Sequence, residues 1–227
     1  MSNGPSRRLV LGMGGALALS ALPVFTAHAA PNRPISSPLV PADRATTLWY
    51  PEPADEDLLI EQGLPLGNGR LGAIVGADPS RELFQVTDAS LWTGGANTTL
   101  DSDGQFPYGR DDFGSLTLLA RVMLYMPDHE FSSVSDYRRT LDLSNGMVTT
   151  TYTKNKIRYV REMFASAPDD TIVVRLSQSG GGSLTGAVIL SGTHGETTSV
   201  DKARNLASFS AAFGNKLRYA AAVTAAG

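Results

Sequence analysis

Between residues 47 and 224 the chain is a succession of short apolar or β-branched runs, each closed within about a dozen residues by Gly, Pro, Asn or Asp. Almost nowhere does it keep the period of an amphipathic helix. A chain cut this often must bury its apolar faces sheet against sheet, which indicates an all-β fold, a large antiparallel β-sandwich. Strands are expected over 47–50, 71–77, 81–86, 116–125, 137–143, 147–153, 157–165, 184–190, 207–213 and 217–224. A buried-type strand is expected over 171–176. Asp78-Pro79-Ser80, Asn145-Gly146 and Lys154-Asn155 supply turns, with Asn145-Gly146 the strongest hairpin signal. Residues 55–62 allow one helical turn or two, with acids early as the helix dipole prefers.

The stretch 64–95, LPLGNGRLGAIVGADPSRELFQVTDASLWTGG, is the most informative for function. Gly67, Gly69 and Gly72 fit the spacing of a dinucleotide-binding turn. That motif follows a strand and opens a helix. Here Pro65 argues against a central strand before it. The apolar run after it is stopped by Asp78-Pro79, too short for a helix. The glycines are therefore expected to serve close backbone approach and positive φ at a strand entry.

The chain has no cysteine, which excludes a disulfide framework, a thiolate metal site and a cysteine nucleophile. Residues 1–29 hold Arg7 and Arg8 and no acid, so the remainder carries −5 against −3 for the whole. A mildly acidic surface disfavours nucleic acid and anionic membrane as partners. The paired arginines precede a glycine-broken apolar run and an Ala27-His28-Ala29 cleavage pattern. Residues 1–29 thus read as a twin-arginine-like signal peptide, with the general secretory route and an uncleaved anchor as alternatives. Export to the periplasm or beyond is the expected localisation. Residues 30–45, rich in Pro and Ser, read as an extended leader.

Four blocks occur in order: Leu64-Pro65-Leu66-Gly67-Asn68-Gly69-Arg70-Leu71-Gly72-Ala73, then Ser90-Leu91-Trp92-Thr93-Gly94-Gly95, then Tyr137-Arg138-Arg139-Thr140-Leu141-Asp142-Leu143, then Tyr159 to Ser166 with Pro168-Asp169. Together they resemble the N-terminal domain of glycoside hydrolase family 95, α-L-fucosidases and related α-L-galactosidases. A related sandwich occurs in the family 65 phosphorylases. The resemblance departs at Thr87-Asp88, where the family has an Asn-Glu pair. It departs also at a missing tryptophan near Leu59 or Ile60, and in the loop 97–112. It implies a supersandwich-like domain over 46–227, C-terminally truncated. In the family that domain is followed by a helical linker, an α/α barrel and a further β domain. The parent enzyme is then an inverting exo-glycosidase, with acid and base set well apart across the sugar. Both of those groups belong to the barrel, so no catalytic residue is assigned here. The expected role is a non-catalytic scaffold that contacts the barrel and, through the parent enzyme, a fucosylated glycan. A free-standing carbohydrate-binding module is the alternative.

Asn68 and Trp92 are the candidate substrate-binding residues, as parts of a cleft wall. Trp92 beside Gly94-Gly95 offers a face for a sugar ring, yet tryptophan is heavily buried on average, so core packing is favoured. Asn68 and Arg70 have turn capping or a neighbouring domain as the competing reading. Arg138, Arg139 and Arg161 are expected to form ordinary cross-strand pairs with Asp142 and Glu162. His129 and His194 lack metal-ligand spacing and read as surface or loop residues. Asp101-Ser102-Asp103-Gly104 resembles the start of a calcium loop, but Gln105 and Phe106 stand where a ligand and glycine are needed. No metal or cofactor is assigned.

Overall fold

The computed structural model describes residues 24–28, 45–95, 100, 103–105, 113–180 and 183–226. The expected leader over 30–45, most of the signal segment and most of the loop 97–112, including the Asp101 calcium reading, lie outside the described residues.

The fold is all-β and sandwich-like, with fourteen described strands in three antiparallel sheets. In chain order the strands are β1 (Val24–His28), β2 (Thr47–Tyr50), β3 (Leu64–Gly67), β4 (Leu71–Val75), β5 (Arg81–Trp92), β6 (Leu116–Tyr125) and β7 (Ser135–Asp142). Then come β8 (Met147–Lys154), β9 (Ile157–Ser166), β10 (Thr171–Gln178), β11 (Ser183–Ser191), β12 (Ser199–Asp201), β13 (Leu206–Ala212) and β14 (Arg218–Thr224). One layer is the six-stranded sheet β1-β11-β6-β5-β4-β3. Facing it are the five-stranded sheet β10-β9-β8-β7-β2 and the small sheet β12-β13-β14.

Side chains from all three sheets share one core, among them Leu66, Val75, Phe84, Leu124, Val148, Met163 and Phe209. Each such burial contributes about 1.5–3 kcal/mol against exposure. A second, smaller core sits on the outer side of the six-stranded sheet. There Leu59, on the single helical turn α1 (Leu59–Gln62), packs with Ala54, Ala77 and Leu83. Asp55 opens the 3₁₀ turn before it by accepting from the Asp57 amide at 2.9 Å.

Local chemistry accounts for where the strands meet. Pro65 lies in β3, at the sheet edge where a missing donor costs least. The Gly67, Gly69 and Gly72 series is a hairpin between β3 and β4, with Gly69 at φ 96°, and no helix follows. Residues 143–146 form a four-residue connection, not a two-residue Asn-Gly turn. The Asp142 carboxylate holds it by accepting from the Ser144 amide and hydroxyl and from Asn145 Nδ2. The two-residue turn falls one position later than expected, on Asn155 and Lys156, both with positive φ. That mirror-image turn matches the twist of paired strands.

One strand expectation is corrected. The run 171–176 is not buried: β10 is an edge strand, paired with β9, and Val174 is 38% exposed. Its Val-rich composition resembles that of a central strand because its inner face still packs on the core through Ile172 and Leu176. The backbone of Val24–His28, inside the expected signal segment, pairs with residues 183–187 at the sheet edge. Among the described residues no helix is long and apolar enough to cross a membrane.

Candidate functional site

Three of the four sequence blocks converge at one end of the sandwich. The β3–β4 turn is set by Asn68, whose Oδ1 accepts from the amides of Arg70 at 3.0 Å and Leu71 at 2.7 Å. Its Nδ2 donates across to the opposite layer, to Ser166 O at 2.9 Å and Asp170 Oδ1 at 3.1 Å. Arg70 then bridges two carboxylates, Asp88 at 3.1 Å and Asp170 at 3.0 Å. Asp88 also accepts from the Ser90 amide at 2.8 Å and hydroxyl at 2.5 Å. Desolvation pushes the Asp88 carboxyl up, but the Ser90 hydrogen bonds and the Arg70 charge outweigh it, leaving the group below its ordinary value. Arg70 is 64% exposed, so each ion pair contributes at most about 1 kcal/mol.

The clasp is a sheet-to-sheet tie. Every polar atom of the Asn68 amide is engaged within it, so Asn68 acts as a brace in the geometry described. Behind the clasp lies a cavity of about 340 Å³ between the layers, lined by Phe84, Val86, Leu119 and Val122 and by the ends of β10 and β14.

Trp92 departs from the expected core packing. Its side chain is half exposed at the end of β5, beside the equally exposed Leu116 with which it pairs. Register shifts in β5 after Val86 and Thr87 carry the strand end away from regular pairing. Trp92 Nε1 donates to Ala89 O at 3.0 Å, and Asn215 Nδ2 caps the carbonyls of Trp92 and Gly94. Trp49, not singled out from sequence, is also exposed, with the Arg138 guanidinium 4.5 Å from its ring centre.

The arginines correct the sequence reading most. Arg161 is buried and pairs with the equally buried Glu82 at 3.1 Å. It also donates to Pro79 O and to the Tyr152 hydroxyl. Glu82 accepts from the Gly76 amide at 2.7 Å. Burial pushes Glu82 up, while Arg161 and the backbone amides pull it back. Arg139 is buried too, donating to Glu52 O at 2.8 Å and Gln62 O at 2.7 Å and so pinning the helical segment. Glu162 pairs with Arg175. Alternation carried the missing signal. Glu82 stands two residues before the core-facing Phe84, and Arg161 stands between Tyr159 and Met163 on their shared face.

His129 and His194 both have partners. His129 Nδ1 lies 3.0 Å from the Tyr152 hydroxyl, and its ring packs edge-on against Tyr159. Burial, then the positive charges of Lys154 and Arg161, lower it to about 4. His194 Nε2 lies 2.9 Å from Thr117 Oγ1. The neighbouring Glu196, its side chain only 2% exposed, accepts from the Tyr219 hydroxyl at 2.7 Å and from the His194 amide. Desolvation raises Glu196, but these hydrogen bonds outweigh it and lower the group. Tyr219 is pushed up to about 12 by burial and by its bond to Glu196. Among the described residues no cluster of three or more potential ligands is placed to hold a metal.

The model of the family described as glycosyl hydrolase family 65, N-terminal domain, matches residues 48–112 and 104–226. The chain is 29% identical over 167 residues to "Probable alpha-fucosidase A" of Aspergillus niger, covering 62% of this chain and 21% of that protein. It is 26% identical over 162 residues to the Aspergillus oryzae protein of the same name, 60% and 22% of the two chains. It is 27% identical over 144 residues to "Alpha-L-fucosidase 2" of Arabidopsis thaliana, 53% and 17% of the two. The matched stretch thus spans about a fifth of these relatives.

Proposed function

Because this chain belongs to the glycosyl hydrolase family 65, N-terminal domain, family, we propose that it is the non-catalytic N-terminal scaffold of an exported α-L-fucosidase-like hydrolase of family 95. The parent enzyme hydrolyses terminal α-L-fucosyl or α-L-galactosyl linkages with inversion. The observation that carries the scaffold role is the clasp. The residues of the family blocks that meet there, Asn68, Arg70, Ser90 and Ser166, are spent on each other and on Asp88 and Asp170, which lie outside the blocks. Two carboxylates held on one arginine cannot divide into a proton donor and a water-activating base on opposite faces of a sugar. Those groups come from a catalytic α/α barrel elsewhere in the parent, and the sandwich supports it.

The purified 227-residue chain is expected to give no turnover of an aryl α-L-fucoside. The full-length parent is expected to release sugar of inverted anomeric configuration, read by proton NMR during the first turnovers. Turnover by the short chain would refute the scaffold role, and a retained anomer would refute the mechanism.

A second reading, a free-standing secreted carbohydrate-binding module, is favoured by the exposed indoles of Trp92 and Trp49. Calorimetry of the chain with a fucosylated oligosaccharide separates the two. Saturable binding abolished by Trp92→Ala would support the module, and no heat would support the scaffold.

A further inference from the structure

Asparagine followed by glycine is the dipeptide most prone to lose its side-chain ammonia, because glycine has no Cβ to shield the attacking main-chain nitrogen. Two such pairs lie among the described residues, Asn68-Gly69 and Asn145-Gly146, each in a connection between strands. Their surroundings differ in reach. Asn145 is exposed and bonded only to near neighbours in the chain. Its Nδ2 donates to Asp142 Oδ2 at 3.0 Å, its Oδ1 accepts from the Met147 amide at 2.9 Å, and the Gly146 amide donates to Asp142 O at 2.8 Å. Asn68 is half-buried and bonded across the two layers. The acceptors of its Nδ2, Ser166 O and Asp170 Oδ1, stand 98 and 102 residues away in the chain. Gly69 itself is exposed at the tip of the turn, at φ 96° with open space around it, so water reaches the pair. Ring closure between the Gly69 nitrogen and Asn68 Cγ would expel the same nitrogen that ties the layers together.

We propose that Asn68 is a latent modification site: a spontaneous deamidation that the closed clasp holds back and that, once it has happened, stops the clasp from closing again. The Gly69 nitrogen attacks Asn68 Cγ. An N–Cγ bond forms, the Cγ–Nδ2 bond breaks, and ammonia leaves carrying the Gly69 amide proton. Water then opens the cyclic imide. Attack at Cγ gives aspartate, and attack at the main-chain carbonyl gives isoaspartate, with the backbone running through the side chain. Nothing is oxidised or reduced. Ring closure gives up the bonds of Nδ2 to Ser166 O and Asp170 and strains those of Oδ1 to the Arg70 and Leu71 amides. Opening of the clasp is therefore the step that admits the reaction. That opening is local, since Arg70, which braces Asp170 beside the amide, lies largely in solvent. The product differs from the amide in two ways. A carboxylate has no hydrogen to donate, so Ser166 O loses its partner. It also sets a negative charge against Asp170, and Arg70 then faces three carboxylates in place of two. In aspartate the oxygens still accept from the Arg70 and Leu71 amides, so the turn keeps its form while the tie to the opposite layer is lost. In isoaspartate the added main-chain methylene displaces the turn as well. The inference holds whatever sugar the parent enzyme takes.

The test incubates the 227-residue chain at mildly alkaline pH, folded and in urea. Peptide mapping by mass spectrometry follows both Asn-Gly pairs, with isoaspartate read by enzymatic methylation. In urea the two pairs should react within about twofold of each other, since the dipeptide is the same. In the folded chain Asn68 should lag its own rate in urea by about tenfold or more. Asp170→Gly removes one acceptor of Nδ2 and suits the positive φ of 49° at that position. It should raise the folded rate at Asn68 by about threefold to tenfold and leave Asn145 unchanged. A thermal melt establishes that the variant is folded, and Arg70→Ala opens the clasp from its other side should Asp170→Gly fail to fold. Asn68→Asp copies one product and should speed amide exchange in β10 by about tenfold relative to β8. An Asn68 rate equal in the folded and unfolded chains, or unmoved by both clasp variants, would overturn the gating. Reaction in urea at Asn145 and not at Asn68 would remove the site itself. Exchange of β10 at the wild-type rate in Asn68→Asp would show that the reaction leaves the clasp intact, against the proposal.

Discussion

Replacing Arg161 by methionine should be among the most damaging single changes available to this chain. Arg161 and Glu82 are 1% and 0% exposed at the side chain and 3.1 Å apart. At an effective dielectric near 20, opposite charges at about that separation attract by about 5 kcal/mol, most of it offset by the desolvation of both groups. Arg161→Met removes the attraction and leaves the desolvation of Glu82 in place. The expected loss is about 3–5 kcal/mol, a large part of the roughly 5–15 kcal/mol that holds a domain together. The melting temperature should fall by roughly 6–20 °C. Glu82→Leu combined with Arg161→Met should recover most of the loss, because neither charge then remains buried alone. The buried Arg161 Nε, which has no acceptor, also disappears in the double variant. Urea denaturation followed by far-ultraviolet circular dichroism on the wild type, both single variants and the double variant completes the cycle. A single-variant loss under about 1 kcal/mol, or a double variant no better than Arg161→Met, would refute the reasoning.

Acid should weaken the fold through His129 before its exposed carboxylates titrate. His129 sits near 4 when folded and at about 6.5 when unfolded, so between those values the unfolded chain binds the extra proton. Its contribution is whole above pH 6.5 and is lost as pH falls toward 4. The full shift is worth about 3.4 kcal/mol; partial exposure of the ring reduces that to about 1–2 kcal/mol. Urea midpoints at pH 7.5, 5.5 and 4.5 should decline, and His129→Gln should flatten that decline. At Gly76, φ is 128° and an added Cβ would lie 2.8 Å from Arg139 Nη1, so Gly76→Ala should cost about 2 kcal/mol or more by thermal melt. Gly146→Ala, with positive φ but open space around it, should cost only about 1 kcal/mol. Export with signal removal should leave an N-terminus at Ala30, read by Edman degradation of secreted protein. A secreted chain retaining Val24 would refute the cleavage and keep strand β1 in its sheet.

Alternation and turn chemistry made the architecture legible, since both are local. The hairpins at Gly69 and Asn155 and the run of strands from β4 to β9 follow from residues within a few positions of one another. What the sequence concealed depends on which strands become neighbours. The Val-rich β10 reads as a central strand, yet its place at an edge follows from the absence of a partner among the described strands. Residues 199–201 are too short and polar to announce a strand and pair only because β13 lies beside them. The convergence of Asn68, Arg70, Asp88 and Asp170 is likewise a product of layer packing over about a hundred residues of separation. Trp92 misled because burial averages describe a residue type, and an irregularly paired strand end is not an average place.

The polar ties and the cavity have a common consequence for how rigidity is distributed. Arg139 fixes the helical segment to β7, and Glu82 with Arg161 fixes β5 to β9 in the buried interior, so the two layers cannot slide there without stranding a charge. At the clasp the corresponding tie is Arg70, largely in solvent and worth far less. The strands bordering the cavity, β10 and β14, therefore meet the core through half-buried alanines, valines and leucines and through an exposed ion pair. A layer held firmly at one end and loosely at the other should open first at the loose end, without breaking the buried pair. Shortening Arg70 to alanine should accordingly speed exchange in β10 while leaving β8 and β9 beside Arg161 unaffected. Equal acceleration of all three would show that the sandwich opens as one unit and that the two ends are not mechanically distinct.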